Sequence, residues 1–448
     1  MTGEPAPPRP NLEPVSRIVE AVAPARLGSG FRWLLASAWT SGLGDGFAFS
    51  AGPLLVASQT HDPRLVALAL LLQQLPYLLF GLFAGALSDR VNRRTIVVAV
   101  DSARAVILTL LSVSILTSEV NVAVVLAAMF LLGTTEVFGS NASATLLPML
   151  VGRNDLAIAN SRVMGGFVTG TQLIGPAVGA VLFAAGMSVP FIAQAVLVGC
   201  AATLATRIAL PPADRAPTAS SHVTRDIAEG VRWVVRHPAV RTLVLTILIF
   251  NITFGAAWSV LVLYAKQRLG LQSVGFGLLT STSAVGGIVG TLSYGWITRR
   301  ISLGNIMRVG LIIETLTHLA LALTTSPAIA MAVFFVFGAH AFIWGTTSIT
   351  VRQRAVPMEL QGRVGSVNAI GTYGGMVIGA ALGGVIAGRW GVTGPFWFAF
   401  FGSALFVVLI WRQLAYIEHQ DATPVELAAA VTSGSGEDVG VGMADRAS

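Results

Sequence analysis

One cysteine, one lysine and very little charge distinguish this 448-residue chain by what is missing. Cys200 stands alone inside an apolar run, so no intramolecular disulfide, CxxC zinc site or iron–sulfur cluster can form within one chain. The lysine, Lys266, is followed by Gln267 and has no glycine-rich lead, which excludes a Walker-type loop and direct drive by ATP. Neither an HExxH metal motif nor a nucleophile elbow is present, so the chain is not read as an enzyme and no cofactor or metal is expected. The first thirty residues lack an apolar core of signal-peptide length, and the first span is expected to act as an uncleaved anchor.

What is present is apolar. Hydrophobic residues make up 54% of the chain and charged residues 11%, with a mean hydropathy of +0.75, which places the chain in a lipid bilayer. Apolar stretches predict spans at about 31–58, 64–87, 95–117, 121–146, 158–185 and 188–209, then at about 241–266, 274–297, 303–324, 326–351, 364–388 and 394–415. The predicted class is an all-α membrane protein of twelve helices in two pseudo-symmetric six-helix bundles. Its segments are a tail over residues 1–30, a bundle over 31–209, a linker over 210–240, a second bundle over 241–415 and a disordered tail over 416–448. The linker opens with Pro211 and Pro212. Within it Val223, Ile227, Val231, Val234 and Val235 share one helical face and Arg225, Asp226, Glu229, Arg232 and Arg236 the other, predicting an amphipathic helix at the membrane surface or a solvated linker helix.

The formal net charge of +7 is almost all arginine. Arg90, Arg93 and Arg94, then Arg153, the linker cluster, Arg299 and Arg300, and Arg352 and Arg354 occupy alternate loops. The positive-inside rule puts those loops and both termini in the cytoplasm of a multi-pass protein of the inner, or plasma, membrane. Scattered clusters of this kind are topology signals, not a phosphate-tracking face, so nucleic acid is not a predicted partner. The stretch LLPMLVGRNDLAIAN, ending at Asn160, matches RAVPMELQGRVGSVN, ending at Asn368, and each precedes the fifth span of its half. Duplication explains the match and implies two bundles around one path.

The loop GALSDRVNRR, from Gly85 to Arg94, resembles the signature loop of the major facilitator superfamily, with Asn92 where the family usually has glycine. Its counterpart GTLSYGWITRR keeps Arg299 and Arg300 but not the acid. SGLGDGFAFSAGPLL, IGPAVGAVLF and VPMELQGRVGS further resemble the exporter group that contains enterobactin and macrolide efflux proteins. The resemblance implies a transporter that moves small amphipathic molecules, drug- or siderophore-like, out of the cell by alternating access with proton antiport. A gradient-driven importer and a non-transporting receptor of the same fold are the alternatives. It implies a cytoplasmic latch at Gly85, Asp89, Arg90 and Arg94, and a packing and rocking element at Gly175, Pro176 and Gly179. One chain holds a complete transport unit, so a monomer suffices.

Charges inside spans carry the remaining functional signal, because a lone ionised group near the bilayer centre costs at least about 2.5 kcal/mol. Asp45, between Gly44 and Gly46, is the first candidate for coupling or substrate contact, and Glu136 the second. Asp101 and Arg104 lie one turn apart, and Arg104 can neutralise either acid or belong to a buried ion-pair network. Glu314 and His318, also one turn apart, read first as a structural pair and second as a proton relay. His340 and Trp344 either line a binding surface or pack against a neighbouring helix.

Overall fold

The computed structural model describes Glu20, residues 22–210, residues 223–411 and Gln413. Most of the predicted first tail, the proline-opened start of the linker and the predicted tail over 416–448 lie outside the described residues, as do the side chains of Asp89, Arg153 and residues 223–227. Helix accounts for the regular structure of everything described. The helices are α1 (Gly28–Gln59), α2 (Pro63–Arg90), α3 (Arg93–Leu116), α4 (Val122–Leu150), α5 (Leu156–Ala185) and α6 (Val189–Thr206). They continue with α7 (Val223–Arg236), α8 (Pro238–Trp258), α9 (Leu261–Gln267), α10 (Ser273–Thr298), α11 (Leu303–Leu323), α12 (Pro327–Ala355), α13 (Gln361–Trp390) and α14 (Gly394–Ile410). Ten helical segments are long and apolar enough to cross a membrane. Two more, α1 with 32 residues and the shorter apolar α14 with 17, complete a helix at every predicted span.

Local signals set the helix starts. Pro63, Pro190, Pro238, Pro327 and Pro395 stand in first turns, where a missing N–H costs nothing. The Asp62 carboxylate accepts the Arg64 N–H at 2.9 Å, and the Asn121 side chain accepts from Ala123 and Val124 at 3.0 and 3.1 Å. Asn92, the departure from the family glycine, caps α3 in the same way by accepting the Arg94 N–H at 3.0 Å. Lipid-facing positions stay apolar, as at Leu292, which is 80% exposed.

Two predicted spans differ from single straight helices. The seventh is broken into α8 and α9 at Ser259 and Val260, where the Ser259 hydroxyl donates to the Ala256 carbonyl at 3.0 Å and competes with the backbone ladder. The fifth contains a π-helical stretch, Phe167–Ile174, before Gly175 and Pro176. Pro176 lacks a donor and crowds the preceding turn, and the helix takes up the mismatch with wider bonds, the Gly175 N–H reaching back to the Gly170 carbonyl.

The halves meet through α2 against α13 and α5 against α10. Within the halves α8 lies along α13, α10 along α12, α2 along α4, and α1 and α3 along α6. The end carrying α7 is called the linker end and the opposite one the far end. At the far end one core joins both halves, with Leu54, Leu55 and Phe183 packed together with Tyr264, Phe276 and Phe396. At the linker end the described buried apolar residues fall into separate clusters, none of which joins the two halves. Phe31, Ile96, Leu146 and Ile208 form one cluster, and Leu243, Leu303, Met307 and Ile410 another. The interior is therefore sealed at the far end and parted at the linker end. The linker helix α7 docks on the second half: Val234 is buried with Val240, Val244, Val356 and Val364, while Val231 and Val235 remain exposed. Glu229 pairs with Arg363 at 3.0 Å.

Candidate functional site

Mid-depth in the first half, α1, α3, α4 and α6 deliver polar groups to one point. Arg104 on α3 has a side chain only 8% exposed and is ion-paired with Asp45 on α1. The same guanidinium reaches Asp101 at 3.5 Å and Glu136 on α4 at 3.8 Å, and donates to the Ser41 hydroxyl at 3.2 Å. Gln194 on α6 donates to Asp45 at 3.2 Å. One buried cation thus faces three carboxylates. Asp101 is as buried as Arg104, but the Asp45 side chain is 27% exposed and that of Glu136 44%. The cluster has an inner pair, Asp101 and Arg104, and two outer acids, Asp45 and Glu136, whose side chains are partly exposed.

The backbone beside Asp45 is held by α5. The Thr171 hydroxyl donates to the Gly42 carbonyl at 2.8 Å, and the Ser50 hydroxyl to the Pro176 carbonyl at 2.7 Å. Between them Gly46 lies directly on the π turn: a Cβ there would overlap the Gly170 carbonyl oxygen and stand 2.7 Å from the Gly175 Cα. On the other side of α5, a Cβ at Gly277 of α10 would stand 2.6 Å from the Pro176 carbonyl oxygen. Gly175, Pro176 and Gly179 are thus packed against α1 within their own half, and Pro176 also meets α10 of the other half.

Three residues near the cluster were not singled out in the sequence: Tyr77, Tyr373 and Gln194. Tyr77 of α2 lies within electrostatic reach of Glu136 and Arg104, and its ring stacks on Tyr373 of α13 with centroids 4.0 Å apart. Gln194 completes the Asp45 shell. A polar amide amid the apolar sixth span, and two of only five tyrosines in the chain, are the sequence signals that could have found them.

The second half holds a separate polar group at the same depth. Glu314 on α11 is buried between two imidazoles, with His318 Nε2 at 3.4 Å from one carboxylate oxygen and His340 Nε2 of α12 at 3.0 Å from the other. The predicted Glu314–His318 pair therefore gains a third member. A cavity of about 260 Å³ opens beside it, bordered by Glu314, His340 and Trp344.

The predicted latch loop lies at the linker end, at the join of α2 and α3. Among the described residues, nothing lies within 4 Å of the place a Cβ would take at Gly85. Arg94 donates to the Ile208 carbonyl at 3.0 Å within its own half, Arg90 is exposed, and the Asp89 side chain lies outside the described residues.

The sequence profile of the Major Facilitator Superfamily matches residues 34–376. The chain belongs to that superfamily. It is a multi-pass membrane transporter for a small-molecule substrate, and not an enzyme. It is similar to macrolide efflux protein A of Streptococcus pyogenes, 24% identical over 369 residues that cover 79% of this chain and 88% of that protein. It is also similar to the enterobactin exporter of Escherichia coli (strain K12), 23% identical over 383 residues that cover 85% and 90%. Among solved structures, a bacterial homologue of the iron transporter ferroportin in an inward-facing state superposes with a TM-score of 0.69, at 17% identity, covering 86% of this transporter and 98% of that chain. That likeness is one of fold.

Proposed function

We propose that the chain is a secondary active transporter that exports small amphipathic molecules, drug- or siderophore-like, by proton antiport and alternating access. It works as a monomer that crosses the inner membrane twelve times with both termini in the cytoplasm. The observation that carries this reading is the cluster in which, among the described residues, Arg104 is the one cation facing Asp45, Asp101 and Glu136. Charges held at mid-depth in a membrane domain are expensive, and a surplus of acids over cations there gives a proton somewhere to bind. A proton on Asp45 or Glu136 releases one claim on Arg104, and the guanidinium shifts toward the acids that remain. Asp45 shares α1 with Gly42, Gly46 and Ser50, so that shift bears on the contact between α1 and α5, and through Pro176 on α10.

The arginine-bearing loops lie at the linker end, which the positive-inside rule assigns to the cytoplasm. On that assignment the parted end is the cytoplasmic one, and the interior is open for loading from inside the cell. The two relatives bear the names of export proteins, which supports outward movement. In this reading, residues 31–209 and 241–415 rock against each other and the latch at Gly85, Asp89, Arg90 and Arg94 closes in the opposite state.

The test is accumulation of a panel of fluorescent and antibiotic amphiphiles in cells expressing wild type or Asp45→Asn, with and without a protonophore. Wild type should lower accumulation of at least one compound, and both the substitution and the protonophore should abolish the difference. Raised accumulation in wild-type cells reverses the direction. Export that survives the protonophore removes proton coupling.

A further inference from the structure

The cavity beside Glu314 is walled by Phe250, Phe254, Phe337 and Trp344, with Asn251, Glu314 and His340 as polar members. Phe254 and Phe337 stack with centroids 5.6 Å apart and planes only 8° from parallel. Glu314 is 7% exposed, and the partners within ion-pair distance among the described residues are His318 and His340, with no arginine or lysine. Among the described residues, no lysine or arginine therefore offsets the carboxylate inside this aromatic enclosure. Two further groups are waiting for a partner: Trp344 Nε1 and His340 Nδ1 are buried with no hydrogen bond among the described residues. His340 itself is more than nine-tenths buried. The three acidic and imidazole groups do not gather as metal ligands, since each imidazole takes a different oxygen of the one carboxylate.

A negative charge ringed by aromatic faces is complementary to an organic cation, which is held by the ring quadrupoles and the counter-charge together. A donor at Trp344 and an acceptor at His340 add directional contacts for an amine or its neighbouring polar group. The volume of about 260 Å³ suits one ring-sized, nitrogen-bearing end of a larger molecule, with the remainder in the space between the halves. We propose that this pocket in the second half is the substrate subsite, and that it takes the cationic nitrogen of an amphipathic amine, with Glu314 as counter-ion. The inference rests on the transport reading and deepens it. Proton handling falls to the first half, where Arg104 already balances part of the acid, and ligand recognition to the second.

The test is calorimetric titration of the full chain in lipid nanodiscs, in mildly alkaline buffer where free imidazole is neutral. The probes are 1-methylquinolinium and 1-naphthoate, two water-soluble bicyclic ions of near-equal size and opposite charge. The cation should bind and the anion should not. Glu314→Gln should weaken the cation roughly tenfold or more, and Glu229→Gln, in the half-exposed linker pair with Arg363, should leave it within about twofold. Phe337→Leu, which keeps the charge and removes a wall, should weaken it by about fivefold and covers the case in which Glu314→Gln does not fold. Equal binding of the two ions, or none of either, overturns the proposal on the unaltered protein. So does loss of cation binding in Asp45→Asn with binding retained in a folded Glu314→Gln variant. Failure of protonophore-sensitive export, with the cation still selected through Glu314, removes the antiport reading and leaves the subsite standing.

Discussion

Removing the Arg104 guanidinium tests the charge cluster most directly. Arg104→Met keeps the length and flexibility of the side chain while leaving Asp45, Asp101 and Glu136 with no cation within ion-pair distance among the described residues. Stripping one partner from a buried ion pair costs about 3–5 kcal/mol, mostly because the remaining charge is stranded. With an unfolding entropy near 2 cal/mol/K per residue, that corresponds to about 4 °C in Tm if the chain melts as one unit and about 10 °C if the first half melts alone. Asp45→Asn keeps the Gln194 contact and removes one of the stranded charges, so the double variant should recover about 1–3 kcal/mol relative to the sum of the singles. Thermal unfolding of purified protein in nanodiscs, followed by intrinsic tryptophan fluorescence, reads all four corners of the cycle. Strict additivity, or an Arg104→Met variant that melts within about 1 °C of wild type, would show that Arg104 is not the cation that holds these acids in place.

Other expectations follow from packing. Gly379→Val drives a side chain into α8, where a Cβ already stands 2.9 Å from the Ala256 nitrogen and 3.0 Å from the Gly255 Cα, and should cost about 3 kcal/mol or more or prevent accumulation of folded protein on size-exclusion chromatography. Gly85→Ala meets nothing within 4 Å among the described residues and brings a better helix former, so its melting temperature should be unchanged or slightly higher, within about 1 kcal/mol, while its transport rate falls if the latch closes there in the opposite state. Tyr373→Ala removes the stack on Tyr77 across the halves, about 1 kcal/mol, and should change the ratio of the two open states by about fivefold in spin-label distance distributions taken across the linker end. Glu229→Gln removes a half-exposed pair with Arg363 and should shift Tm by less than about 1 °C.

The helical plan was legible because its signal is long-range and redundant: twenty-residue apolar runs and arginines in alternate loops. Each predicted span has a helix within several residues of it. What the sequence could not display are features made by contact. The break at Ser259 and the π stretch before Gly175 arise from hydrogen bonds that rearrange over a few atoms, and apolar periodicity is blind to them. Asp45, Asp101, Arg104 and Glu136 were each visible as charges out of place, yet nothing in the spacing showed that a single guanidinium serves all three acids. His340 was read apart from Glu314, although the two stand 3.0 Å apart across helices. The aromatic walls at Phe254 and Phe337 were invisible for a different reason, since phenylalanine in an apolar span looks the same whether it meets lipid, a neighbour or a ligand.

The location of the charge cluster also bears on how the chain is made. All of its members lie between Ser41 and Gln194, so every partner has been synthesised before the linker emerges. The far-end core is different, because Leu54 and Phe183 wait for Tyr264 and Phe396, but an apolar face can wait in lipid at little cost. Glu314 and its two histidines span only residues 314–340 and assemble just as locally. Nascent halves can therefore rest side by side in the bilayer with the members of each polar cluster already together, and the joining of the apolar far-end surfaces is left for the end of synthesis.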